Sequence, residues 1–228
     1  MVLTSVIVGW GVLVVHPKIV FGYSMTRANV VVHSFEPIPA AMGPIVDEAI
    51  RRDSTSPLWN DKLVHNVFLC DRWYPLFALT AWRSGGVTQD FFEDNIFLRK
   101  VDIEHNALIG RNGQPAAHDR PLSYYLAHEM VHHLTFAAIG FGRSRRLRAW
   151  QKEGYADYVA KERPYDLPAA VEAFRRGDRE MDPSASGLYD RYRLLVAYEL
   201  EEKHLSLDAL LAGPIEQAPI EAELLARP

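Results

Sequence analysis

The pattern of apolar and polar positions changes character near residue 120. Before it, short apolar runs alternate with turn formers. Residues 29–35 carry Val30, Val31 and Val32, which are β-branched and predict a strand. The runs 64–70, 76–82 and 96–103 read the same way. Pro37 and Pro39 break the chain after the first run. Met42, Ile45, Val46 and Ile50 then recur at helical spacing, which predicts a helix over 40–52. Ser84-Gly85-Gly86 predicts a turn, and 110–115 a loop. From Pro121 onward the spacing is helical. Asp119 or Arg120 would cap a helix with Pro121 at its first position, where a missing N–H costs nothing. That helix runs to about Ile139 and stops at Gly140-Phe141-Gly142. Further helices are predicted from near Ser144 to before Pro164, and over 168–176, 188–203 and 205–211. Strands first and helices after predict an α+β fold: a small mixed N-terminal sheet with one helix, then a helical half.

The two ends differ from this body. Val2 to Val15 is apolar apart from Thr4, Ser5 and two glycines. His16-Pro17-Lys18 interrupts the run and Ile19-Val20-Phe21 resumes it. The uninterrupted part is shorter than the roughly 20 residues of a membrane span, and continuing to Gly22 reaches that length with Lys18 able to snorkel. Residues 1–22 therefore read as a membrane anchor or uncleaved signal-like segment, which would place the folded part outside the cytoplasm. A buried first strand or helix is the alternative. No basic residue precedes the run, so it does not determine an orientation. The body is read as one domain over 23–213. The tail 214–228, rich in Pro, Glu and Ala, is read as loosely attached.

Composition narrows the chemistry. The formal net charge is −4, which gives no general reason to expect a nucleic-acid partner. Arg143, Arg145, Arg146 and Arg148 form a local basic run that reads as a solvated helix face. The single cysteine, Cys70, excludes an internal disulfide and a cysteine zinc cage. It follows Val67-Phe68-Leu69 and reads as a small core residue.

One segment carries chemistry. Ala127-His128-Glu129-Met130-Val131-His132 holds the pattern H-E-x-x-H inside a predicted helix. Two histidines four apart project from one helix face, one turn apart, and can reach a single metal ion at roughly 2.0–2.1 Å. The carboxylate of Glu129, beside that face, can take a proton from a water the metal acidifies. A catalytic zinc needs a third protein ligand and an open fourth position. The continuation with a third histidine would need Gly at 135 and His at 138, where the chain has Thr135 and Ala138. His133 points about 100° away from His132 and reads as a packed or surface residue. The next predicted helix offers Glu153, placed so that the first helix can finish, turn and return antiparallel. Asp157, four residues on, shares its face and can accept the outer N–H of a zinc-bound histidine. Ala156 is small enough for close helix approach.

Together, His128-Glu129-x-x-His132 and Glu153-Gly154-x-Ala156-Asp157-Tyr158 resemble the gluzincins, the peptidase MA-like superfamily. The matching residues span Leu122 to Val159. The resemblance implies a zincin-like domain with zinc held by His128, His132 and Glu153, and Glu129 as base. It implies a strand on the cleft edge that pairs with an extended peptide, for which 96–103 is the candidate. It also implies a downstream oxyanion-stabilising residue, with Tyr189 the first choice and Tyr192 the second. The expected activity is zinc-dependent peptide-bond hydrolysis on a peptide or protein substrate. The alternative is an inactive zinc-binding scaffold or sensor, and an intact Glu129 argues against it.

Overall fold

The computed structural model describes residues 13, 16–70, 85–89, 95–110, 112–116, 120–161, 164–185 and 188–226. Most of the apolar run before His16, the predicted strand 76–82 and Asp119 lie outside the described residues. The chain divides into two compact units, Met1–Leu134 and Thr135–Pro228, and the division falls inside one continuous helix.

The first unit is built on a five-stranded sheet. Its strands are β1 (Tyr23–Arg27), β2 (Val30–Ser34), β3 (His65–Cys70), β4 (Gly86–Thr88) and β5 (Asn95–Arg99), in the order β1-β2-β3-β5-β4. β1 and β2 form an antiparallel hairpin, which the sequence pattern did not signal because β1 is mostly exposed. Ala28, at φ 48°, makes its tight turn. β2, helix α1 (Met42–Asp53) and β3 form a parallel βαβ unit, and β3 also pairs in parallel with β5. The central strands read as nearly continuous apolar runs, as strands covered on both faces do. Cys70 sits among Phe21, Phe68 and Phe97 in the core, as expected, with Leu13 packed against the same cluster.

The predicted strand 96–103 is two elements. Lys100 has φ 50° and breaks it after β5. β6 (Val101–Asp102) then pairs with β7 (Ala107–Leu108) in a small hairpin. β5 is paired on both sides, by β3 and by β4, so it cannot be the open edge that the sequence suggested. Among the described residues the strand at that edge is β4, antiparallel to β5, whose first residue belongs to the glycine pair read as a turn.

Helix α2 (Leu122–Ile139) follows. Pro121 lies just before it, and its carbonyl accepts from Tyr124 and Tyr125, so it caps the helix where occupancy of the first turn was expected. The helix ends at Gly140, φ 76°, as predicted. Nearly every position from Leu122 to Thr135 is buried. A helix apolar all round belongs in a core.

The second unit is helical: α3 (Phe141–Ser144), α4 (Ala149–Ala160), α5 (Leu167–Arg176), α6 (Leu188–Ala197, continued as one π-helical turn, Tyr198–Glu202), α7 (Leu207–Leu210) and α8 (Gln217–Ala226). The helix predicted from Ser144 is thus two. α3 is a single turn, and α4 starts after Arg148, whose N–H is held by the Gln151 side chain at 2.9 Å. α4 lies directly on α6. The residue that permits this is Gly154: a Cβ there would stand 2.4 Å from the carbonyl oxygen of Tyr192. The tail read as loose is α8, with Ile220 and Leu224 buried. Trp150 donates to the Ile215 carbonyl at 2.9 Å, and buried Gln151 donates to the carbonyls of Leu210 and Gly213. Arg191 pairs with Glu221 at 2.6 Å, and Arg175 donates to the Leu224 carbonyl. Arg143, Arg145, Arg146 and Arg148 are all exposed. Among the described residues no helix is long and apolar enough to cross a membrane.

Replacing Gly154 with Ala should overpack the α4–α6 contact at backbone, where nothing can rotate away. The expected loss is about 2 kcal/mol or more. Thermal unfolding should show a clear drop in Tm, and an unchanged Tm would contradict the packing described.

Candidate metal centre

α2 carries its histidines where helix geometry put them. The Nε2 atoms of His128 and His132 converge to 3.1 Å, their rings edge to face. Two imidazole nitrogens this close repel unless one donates a proton to the other or both lone pairs share a cation. Two tetrahedral zinc ligands at 2.0–2.1 Å stand roughly 3.3 Å apart, so the spacing fits a shared ion. One nitrogen from each histidine and one carboxylate oxygen of Glu153 all lie within 4.8 Å of one another. This is wider than a closed coordination shell. The histidine pair on its own stands at ligand spacing, and Glu153 is half-buried. Two histidines and a carboxylate are a donor set suited to zinc. The ring of Tyr124 packs 5.8 Å from that of His128, one turn earlier, and supports its orientation.

Glu129 is 6% exposed and points at the sheet edge. The Thr88 hydroxyl lies 2.8 Å from its Oε2 and 2.8 Å from its backbone oxygen. The carboxylate lies over Gly86: a Cβ on that residue would be 2.6 Å from Oε1 and 2.9 Å from Cγ. The sequence held a signal for this that was read otherwise, because a glycine within a strand often marks close approach by another group.

Two more groups crowd α2. His133 is neither ligand nor surface residue. It is buried, with Nδ1 3.0 Å from Nδ1 of buried His65 at the start of β3. One of the two nitrogens must donate, which holds the pair in complementary tautomers. Burial, with His133 adding to it, pushes the His65 pKa down to about 3. Asp53, the last residue of α1, is fully buried, and neither of its oxygens accepts a hydrogen bond among the described residues. Burial raises its pKa well above the carboxylate range, opposed by the charges of His128 and Arg52. Nothing in the spacing of the sequence marked Asp53, because α1 is remote from the motif along the chain.

The remaining candidates lie in the second unit. Asp157 is fully buried on α4 and forms an ion pair with Lys161 at 3.2 Å. Lys161 also pairs with Asp190. Tyr189 stands half-buried in the first turn of α6, with Tyr192 one turn on.

The His65–His133 pair has a pH consequence. Unfolded His65 binds a proton near pH 6.5, whereas the folded residue does so only near 3. Between these values the unfolded state holds more protons, so stability falls as pH drops from about 6.5 toward 3. Denaturant midpoints measured across this window should fall more shallowly for His65→Gln than for wild type. Parallel curves would remove His65 as the cause.

No protein-family model, no curated protein and no solved structure matches this chain, so the chemistry assigned to it stands on its own residues.

Proposed function

We propose that this chain is a zinc-dependent peptide hydrolase of the gluzincin type. The observation that carries the reading is the convergence of His128, His132 and Glu153 beside a buried, hydrogen-bonded Glu129. Zinc held there supplies Lewis acidity, acidifying a water and polarising a peptide carbonyl.

The chain's own residues do the rest. Glu129 takes a proton from the attacking water as the new C–O bond forms, and returns it to the amine nitrogen as the C–N bond breaks. Its burial keeps bulk water from competing for that proton. β4 supplies the edge for the substrate. Gly85 and Gln89 spend their backbone groups on β5, so in the antiparallel alternation those of Gly86 and Thr88 face away from it. An extended peptide pairing there would lie beside Glu129, since Gly86 and Thr88 are the residues that touch its carboxylate. Tyr189 is the proposed donor to the developing oxyanion, with Tyr192 second. Asp157 is assigned to holding α4 through Lys161, which keeps Glu153 in place on the same helix face.

Zinc content and peptide cleavage test this together. Glu129→Gln should keep wild-type zinc stoichiometry by elemental analysis and lose about 10²–10⁴-fold in turnover. His132→Ala should lose the zinc itself. Equal cleavage by wild type and Glu129→Gln would end the mechanism. Retained zinc with no cleavage by wild type would favour the scaffold alternative.

A further inference from the structure

We propose that Thr88 is the positioning residue for Glu129, and that its hydroxyl fastens the base to the substrate-binding edge of the sheet. The inference rests on the hydrolase reading and extends it to a residue outside the metal motif.

The geometry is specific. Glu129 is buried, and a buried carboxylate needs hydrogen-bond donors in place of water. Thr88 Oγ1 provides one at 2.8 Å from Oε2. The same hydroxyl is 2.8 Å from the backbone oxygen of Glu129. That oxygen belongs to the interior of α2, where the helical ladder already supplies a donor. The single hydroxyl proton therefore goes to the charged acceptor, the stronger of the two. The backbone oxygen fixes where the hydroxyl sits. Gly86, two residues earlier on the same face of β4, leaves the space into which Oε1 and Cγ fit. The carboxylate is thus confined from both ends of a three-residue strand.

Confinement of this kind acts on the reaction rather than on binding. With Oε2 occupied by Thr88, Oε1 is the oxygen left to accept a proton from water. The same strand that orients the carboxylate offers its outward backbone groups to the peptide. The distance between base and scissile bond is then set inside β4 itself, with no flexible element between them. Thr88 touches neither metal nor reacting atoms, and its effect passes through Glu129.

The test compares Thr88→Val, which keeps the shape and removes the hydroxyl, with Thr88→Ser, which keeps the hydroxyl. The Val variant should lose about tenfold or more in kcat, with KM within about twofold and zinc content unchanged. The Ser variant should recover most of the loss. Gly86→Ala, which leaves the hydroxyl intact but fills the space under the carboxylate, should lower kcat in the same way. Wild-type kcat in Thr88→Val, or a Ser variant as impaired as the Val, would overturn the assignment. A second readout needs neither turnover nor a variant. A crystal structure of the wild-type protein loaded with zinc should keep Thr88 Oγ1 within about 3.2 Å of a Glu129 carboxylate oxygen. A carboxylate that has left Thr88 in the loaded protein would overturn the proposal. This arm also separates the two failures, because a wild type that binds zinc and cleaves nothing would sink the hydrolase reading while leaving the Thr88 contact to be judged on the structure.

Discussion

A carboxylate buried in a packed helix must find its hydrogen-bond donors in the surrounding protein. Glu129 meets this requirement at the edge of the sheet, through Thr88. Much of the first unit follows from that single contact. β4 must lie antiparallel on β5 to bring Thr88 to the helix. A side chain at position 86 would push the carboxylate aside, because a Cβ there would stand 2.6 Å from Oε1. A helix carrying the same motif on a solvent face would need none of this, since water would satisfy the charge.

The same condition governs the other polar groups on and around α2, each met differently. The Nε2 atoms of His128 and His132 face one another at a spacing that a shared cation satisfies. His133 faces away from that pair and meets buried His65 at the start of β3, where burial pushes the His65 pKa down to about 3. Asp53 is the costly member. It is a carboxylate with no hydrogen bond among the described residues and a pKa raised by burial. Its field acts on His128, and carboxylates near metal-binding histidines commonly set tautomer and basicity.

Within the second unit the recurring device is backbone contact. Gly154 lets α4 touch the chain of α6 at Tyr192. Gln151, buried in the first turn of α4, holds the carbonyls of Leu210 and Gly213, and Trp150 holds that of Ile215. These bonds turn a proline- and glutamate-rich tail into a seated helix. The residues that flank Glu153 are therefore occupied with fixing α4, and Asp157 joins them through Lys161.

Local periodicity by itself determined much of this protein. The strands β2 and β3 with the helix between them, the long core helix with its stop at Gly140, and the shared face of His128 and His132 all follow from side-chain spacing along one element. The place of Glu153 beside the two histidines was legible too, from its spacing after His132 together with the family resemblance of its helix. Tertiary structure decided what depends on which elements become neighbours. β1 escaped notice because an exposed edge strand carries little apolar signal. Gly85-Gly86 read as a turn because the group that needs the space lies far along the chain. Among the described residues the edge moved from β5 to β4, because only strand order says which strand is paired twice. Thr88, Asp53 and His65 each meet α2 from distant sequence, and no periodicity within a segment records a contact made across the fold.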